Sequence, residues 1–221
     1  MVSIFFNLPQ IPDVSKEQLI AAMELFDDDL RSIDEWKNWT DKRNFKYAIF
    51  LDYKLYPVKT IVSLATGVPV EVFSGGDQAN GYVIKKGFQV ITLRSYSWKI
   101  ESGTIAKKNL DKSAFLHRGT GIPNEIRPFF IVGELIQGEK RLITMVHEGK
   151  NYSAHIDMEG QDTERTRLFW NAEFSKLLRT RYASLYEIYN ADDEPTENIA
   201  LIFERLSDCQ RRPDIVLNMA V

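Results

Sequence analysis

The triplet Glu148-Gly149-Lys150 contains two side chains that could help to cut a nucleic acid. A Glu-x-Lys pair forms one end of many Mg²⁺-dependent nuclease centres. Such a centre needs both side chains on one face of a strand and a neighbouring Asp to share the metal ion, and Asp157 is the candidate. The alternative is a plain turn, and the residues on either side favour it.

Apolar residues alternate on both sides of this triplet, as they do in a β-hairpin. A four-residue loop pairs His147 with Tyr152, Met145 with Ala154 and Ile143 with Ile156, which places apolar groups on one face. In this register His147 and His155 point to opposite faces and cannot share a metal ion. The triplet is therefore predicted to be a turn. A Mg²⁺-dependent endonuclease that uses Glu148 and Lys150 is the alternative.

The chain offers few other groups for catalysis or metal binding. One cysteine, Cys209, and three histidines are too few for a structural zinc site, which normally has four Cys and His ligands. Ser74-Gly75-Gly76-Asp77 looks like a phosphate-binding loop, but Tyr82 stands where a P-loop has its lysine. A turn that leads into a helix is predicted there instead. No catalytic set, metal or cofactor is expected in this chain.

Basic side chains gather in two stretches of the second half. The first stretch contains Lys107, Lys108, Lys112, His117 and Arg118. In the second, Arg165 and Arg167 alternate on one predicted strand, so both face the same way. Lysine and arginine reach phosphate oxygens and guanine edges, so the two stretches are either DNA-binding arms or solvated charged faces. Composition alone leaves both interpretations open.

Composition and charge limit the classes to which the protein can belong. Of the 221 residues, 44% are hydrophobic and 27% are charged, which is typical of one large or two small globular domains. The net charge of −3 is uneven: residues 101–181 carry 13 basic and 11 acidic residues, whereas 182–221 carry 3 and 8. This balance excludes a nonspecific nucleic-acid coat but permits a small basic face.

The same features predict where the protein works. A lone cysteine favours a reducing compartment. No apolar run approaches the roughly 20 residues that cross a bilayer, and the first residues lack the basic flank and apolar core of a signal peptide. A cytoplasmic protein without a membrane partner is expected.

The first 98 residues are predicted to form an α+β domain. The elements are helices at 14–26, 33–39, 57–65 and 78–86, and strands at 47–51 and 88–93. Ser15 and Gln18 are spaced as a helix-capping box. Pro57 suits the first turn of its helix, Asp52-Tyr53-Lys54 is predicted to be a turn, and Gly67 is expected to end the third helix.

Short strands separated by turns dominate after the predicted boundary at 98/99. Strands are predicted at 103–110, 142–147, 152–157, 166–169 and 185–189, with short helices at 124–130 and 173–179. Residues 99–221 are therefore expected to form a small β-barrel-like domain with an acidic C-terminal segment.

Several short motifs of the second half occur together in one known fold. They are Lys107-Lys108-Asn109-Leu110-Asp111-Lys112-Ser113, Gly121-Ile122-Pro123-Asn124 continuing to Phe129-Phe130, Gly149-Lys150-Asn151-Tyr152, and Thr166 to Phe174 with its Trp-x-x-x-Phe ending. In this order and spacing they resemble the DNA-binding pseudobarrel of plant B-three transcription factors and of the N-terminal domain of EcoRII-type restriction enzymes. The resemblance covers roughly residues 100–190.

This resemblance implies that two arms grip the major groove of double-stranded DNA. By position, the arms are 107–118 and 155–167. The implied contact residues are Lys107, Lys108, Lys112, His117, Arg118, His155, Arg165 and Arg167, with Asp157 and Gln161 as readers of base edges. The second arm departs from the pattern because it carries carboxylates at 157, 159, 162 and 164, which repel phosphate.

The first half resembles the head domain of McrA-like, modification-dependent restriction endonucleases over about residues 20–93. The motifs that carry this resemblance are Tyr56-Pro57-Val58-Lys59-Thr60-Ile61, Leu64-Ala65-Thr66-Gly67, Phe73-Ser74-Gly75-Gly76, Ala79-Asn80 and Lys86-Gly87-Phe88-Gln89-Val90. It implies a restriction context without a defined activity, because the cutting domain of that family is separate.

The combined expectation is recognition of double-stranded DNA, by sequence or by base modification, in a restriction or defence system. The alternatives are the Mg²⁺-dependent endonuclease and a protein-interaction subunit that recruits a nuclease through its acidic segment, Asp192-Asp193-Glu194. A purified chain that cleaves DNA with Mg²⁺ supports the first alternative. A chain that fails to bind DNA but co-purifies with a partner supports the second.

Overall fold

The computed structural model describes residues 11–131, 135–159, 165–206 and 215–219, with the side chains of all of these except 159, 165 and 215–219. Contacts divide the chain after Leu93 into two compact units, here called the first and the second unit. Both contain helices and antiparallel strands, so this is a mixed α+β protein, as predicted. No helix in the described part is long and apolar enough to cross a membrane.

The first unit begins with helix α1, Lys16–Leu25. Ser15 accepts a hydrogen bond from the backbone of Gln18, whose side chain accepts one in return, so the predicted capping box is confirmed. The helix predicted at 33–39 is wrong: turns and a short 3₁₀ segment, Trp39–Asp41, occupy this stretch. Trp36 and Trp39 instead pack edge-on against Phe45, which aromatic burial favours without a helix.

A three-stranded antiparallel sheet completes this unit, with the order β2-β1-β3. Its elements are β1 (Tyr47–Leu51), β2 (Lys54–Pro57), α2 (Val58–Thr66), α3 (Asn80–Lys85) and β3 (Gln89–Thr92). Asp52 and Tyr53 have positive φ and close the β1–β2 hairpin, which confirms the predicted turn. Gly67, with φ +71, ends α2 as expected.

The second unit is built on a nine-stranded sheet with the order β4-β5-β6-β11-β12-β8-β9-β10-β7. The strands are β4 (Arg94–Ser95), β5 (Trp98–Ile100), β6 (Ile105–Asn109), β7 (Gly119–Ile122), β8 (Lys140–His147), β9 (Lys150–Glu159), β10 (Arg165–Trp170), β11 (Ala200–Arg205) and β12 (Ile215–Met219). The helices are α4 (Lys112–Leu116), α5 (Arg127–Phe130), α6 (Ala172–Arg181) and α7 (Ala183–Asn190). The predicted boundary at 98/99 falls within β5.

The sheet of the second unit is not a closed barrel among the described residues, because its end strands β4 and β7 share no ladder. Its two ends nevertheless approach each other. The Trp98 indole on β5 donates a hydrogen bond of 2.8 Å to the carbonyl of Gly121 on β7. The Trp98 ring also packs on Phe130 and Phe203 in the core. Side-chain packing thus draws the sheet ends together without backbone pairing.

Two local predictions for the second unit need correction. Residues 185–189, predicted as a strand, belong to helix α7, because Tyr186 and Tyr189 lie one turn apart and both pack on Phe115. The β8–β9 hairpin closes on two residues rather than four: Glu148 and Gly149 have positive φ, and His147 pairs with Lys150. Tight hairpins require such a turn.

This shift of two residues keeps every side chain on its predicted face. His147 is buried inside the sheet, whereas His155 lies on the outer face, half-exposed. The two histidines therefore point to opposite sides, as predicted.

Candidate nucleic-acid interface

Arg167 lies at the centre of a row of side chains on the outer face of the sheet. Strand register places it between Gly121 on β7 and Asp157 on β9, and Asp157 in turn pairs with Lys140 on β8. Directly paired residues of antiparallel strands point to the same face. The next row contains Gly119, Phe169, His155 and Leu142.

The two rows contact each other through Arg167 and Phe169. The Arg167 guanidinium carbon lies 5.0 Å from the centre of the Phe169 ring. His155 stacks on the same Phe169 ring, with ring centres 5.3 Å apart. His155 Nε2 lies 3.7 Å from a carboxylate oxygen of Asp157. The structure therefore brings together three predicted site residues, Arg167, His155 and Asp157. Their neighbour Phe169 was not predicted, although its alternation with Arg167 places it on the same face.

One hydrogen bond joins the two predicted arms. Arg167 donates to the Ser113 hydroxyl at 2.9 Å, across 54 residues of sequence. Ser113 lies in α4, in the middle of the first arm, and no feature of the sequence singled it out as a site residue. The contact holds the guanidinium between the second arm and the helix of the first.

A second polar group of this face has an unsatisfied hydrogen-bond acceptor. Asp157 Oδ1 is buried and accepts no hydrogen bond from the described residues. Such acceptors are rare in folded proteins and often mark a place where a ligand or an ordered water binds.

Carboxylates neutralise the lysines of the first arm. Lys107 pairs with Glu101 at 2.9 Å, and Lys99 reaches the same carboxylate at 3.0 Å. Burial raises the pKa of Glu101, but hydrogen bonds from Lys107 and Lys99 outweigh it and hold that pKa below its usual range. Lys112 pairs with Asp192, just after α7.

Lys108 occupies a different environment from the other lysines of the arm. Its side chain is only 3% exposed, and its ammonium donates to Asp111 and to the carbonyl of Asn109. Burial lowers the pKa of Lys108 more than the pairing with Asp111 raises it. The Lys108 side chain therefore lies in the interior of the second unit rather than on its outer surface.

His117 and Arg118 form the exposed turn between α4 and β7. Arg118 has φ +52, and its carbonyl accepts a hydrogen bond of 3.0 Å from the Trp170 backbone. No carboxylate in the described part of the chain pairs with the Arg118 guanidinium. Its charge is thus available to an anion, unlike that of Lys107 or Lys112.

The remaining predicted residues are described less fully. Arg165 lies opposite Glu159 in the backbone register of β9 and β10, two positions before Arg167 on the same strand. Gln161 lies outside the described residues.

The polar groups of the endonuclease alternative have other partners. Glu148 accepts a hydrogen bond of 3.1 Å from Arg181, whereas Lys150 pairs with Glu173, which raises the pKa of Lys150. Within the described ranges, no group of three or more His, Cys, Asp or Glu side chains is arranged to hold a metal ion.

Compared with protein-family models, with curated proteins and with solved structures, the chain matches none of them.

Proposed function

We propose that the second unit binds double-stranded DNA through the outer-face rows around Arg167, with the first arm beside them. The observation that carries this proposal is the Arg167–Ser113 hydrogen bond, because it fixes a guanidinium between the two stretches that the sequence singled out as arms. A guanidinium held in one orientation can bind a planar acceptor pair, which is the way arginine recognises guanine in the major groove.

The other groups of the face have complementary roles in the proposal. The Asp157 carboxylate, in the same row as Arg167, suits the exocyclic amine of cytosine, which carboxylates recognise. Lys140, at the end of the same row, is exposed and suits a phosphate. Together they supply donors, an acceptor and a cation along one line of the sheet.

Arg118 and His117 anchor the backbone of the duplex in this proposal. Both are exposed at the tip of the first arm, and phosphate contacts fix register without reading sequence. Lys107 and Lys112 contribute less because each already pairs with a carboxylate. Lys108 lies inside and takes no part in the surface contact.

The sheet of the second unit and the biological role of the protein are part of the same proposal. We infer that the curved sheet of the second unit is a DNA-binding pseudobarrel, which the Trp98–Gly121 contact between the sheet ends supports. We also infer a role in target recognition within a restriction or defence system, with cleavage supplied by a partner nuclease. Recognition of a modified base belongs to the same proposal.

Selection from a random duplex library with the full chain tests the proposal, followed by titrations of the enriched duplex between about 50 and 200 mM salt. We expect affinity to fall steeply with salt and an Arg167→Ala variant to bind at least about tenfold more weakly. Arg43→Ala, an exposed arginine of the first unit, is the matched control. No enrichment of any duplex, or equal losses in both variants, contradicts the proposal.

A further inference from the structure

A cavity of about 590 Å³ opens beside the Arg167 face, between the β4–β5 hairpin, β7 and the start of α4. Its walls include Trp98, Lys108, Asp111, Gly121, Thr166 and Arg167. We propose that this cavity receives a single nucleobase turned out of the bound duplex. The inference rests on the proposed function, since the base reaches the cavity only from DNA lying on the Arg167 face.

The charges of the cavity favour a neutral ligand. Lys108 and Arg167 supply two positive charges, and Asp111 and Glu125 supply two negative ones. Lys108 and Asp111 neutralise each other within the wall, and Glu125 accepts a hydrogen bond of 2.5 Å from Ser95. A free anion or cation gains little from such a balanced site. A nucleobase, which carries donors and acceptors but no charge, matches it.

One side chain of the cavity wall, Thr166, has a hydroxyl without a hydrogen-bond partner among the described residues. Thr166 is 2% exposed. A buried hydroxyl without a partner costs free energy, and a ligand edge with a donor or an acceptor removes that cost. Thr166 is therefore an unsatisfied polar side chain in the wall of the cavity.

An aromatic side chain stands at the mouth of the cavity. Tyr96, at the tip of the β4–β5 hairpin, is 96% exposed and has φ +50. This left-handed backbone is the one that a two-residue hairpin turn uses, and it directs the ring away from the sheet. A fully solvated ring gains no packing energy in the free protein. It is placed to stack on a base that enters the cavity or to occupy the gap left in the duplex.

Gly121 lies on the opposite side of the cavity mouth and has no side chain to fill the space there. The residue is exposed, and a Cβ built there meets no atom within 4 Å. Its strand partner Arg167 belongs both to the outer-face row and to the cavity wall. The route from the DNA-binding face into the cavity therefore passes over a glycine. A larger side chain at this position narrows the entrance without disturbing the core.

Base pairing gives the test. Turning a base out of the stack costs least where the base is already mismatched. In the duplex enriched by the full chain, each base pair is replaced in turn by a mismatch, and each base in turn by the fluorescent base 2-aminopurine. We expect one position at which the mismatch tightens binding by about tenfold and 2-aminopurine fluorescence rises on binding.

The variant Tyr96→Ala is expected to abolish or reduce both signals while the chain still binds the matched duplex. Tyr53→Ala is the matched control, because Tyr53 is also a hairpin-tip tyrosine with positive φ but lies in the first unit. A duplex that binds normally with no favoured mismatch and no fluorescence change overturns the inference and leaves the proposed function standing. Failure to bind any duplex removes both.

Free nucleosides provide a separate arm of the experiment. If adenosine, cytidine, guanosine or thymidine binds the full chain at the cavity, as seen by NMR shifts that Gly121→Leu removes, while no position of the duplex is turned out, the cavity takes a soluble base. That result overturns entry from DNA. Signals in the duplex series that depend on Tyr96 support it.

Discussion

The two predicted arms differ in the contacts that their basic side chains make in the described part of the chain. In the first arm, Lys107, Lys108 and Lys112 each pair with a carboxylate, whereas His117 and Arg118 at the tip pair with none among the described residues. In the second arm, Arg167 binds a hydroxyl and lies over an aromatic ring. A dense run of lysines is therefore not the same as a basic surface, because carboxylates from distant segments decide which charges remain available.

The nature of the partner also separates the arms. An exposed ion pair is broken and remade cheaply, since such pairs contribute about 0–1 kcal/mol. The Arg167–Ser113 hydrogen bond instead fixes the direction of the guanidinium, which prepares it for an acceptor in one plane. We therefore expect the second arm to set specificity and the first to contribute mainly to salt-dependent attraction.

The largest effect on DNA affinity is expected when one basic residue of each arm is replaced by alanine in separate variants. Arg167→Ala should weaken binding to the enriched duplex by about 10- to 100-fold, whereas Lys107→Ala should weaken it by about threefold or less, because Lys107 already pairs with Glu101. Fluorescence anisotropy at fixed salt measures both. Similar losses for the two variants erase the difference between the arms.

Two glycines of β7 test the packing that supports the second arm. A Cβ at Gly119 would lie 2.4 Å from the Leu168 carbonyl and 3.0 Å from the Phe169 ring, whereas one at Gly121 meets nothing. Gly119→Ala should therefore lower the free energy of unfolding by about 1–3 kcal/mol, and Gly121→Ala should leave it nearly unchanged. Urea unfolding of both variants measures this. Equal stabilities show that β7 and β10 do not pack as described.

The tip of the first arm should contribute through salt dependence. Arg118→Ala is expected to weaken binding about equally across duplex sequences and to reduce the slope of log affinity against log salt by about 1. Titration of the enriched duplex and of a shuffled one provides the measurement. A change of preferred sequence in this variant means that Arg118 reads bases rather than phosphates.

The smallest effect concerns Lys112 and the acidic segment after α7. Asp192→Asn removes the partner of Lys112 and should tighten DNA binding about twofold to fivefold at low salt. The gain should vanish when Lys112→Ala is added, because no freed ammonium remains. A gain that persists in the double variant shows that Asp192 repels DNA directly, without acting through Lys112.

The sequence correctly predicted those local features of the fold that depend on interactions between residues a few positions apart. The capping box at Ser15 and Gln18, the turn at Asp52 and Tyr53, and the end of α2 at Gly67 are each fixed by residues within a few positions. The error at 185–189 arose because aromatic residues suit strands and amphipathic helices alike. Only contact with Phe115 decided for the helix.

Residue types and alternation in the sequence were enough to place Arg167 on a candidate basic face and His147 on the opposite face from His155, whereas the resemblance to the pseudobarrel placed His155 and Asp157 on an arm. The tertiary structure alone decided which charges pair, that Ser113 holds Arg167, and that a cavity opens where the sheet ends meet. The reason is distance along the chain. Side-chain pairs such as Arg167–Ser113 and Lys112–Asp192 depend on how remote segments pack, and no local periodicity encodes that packing.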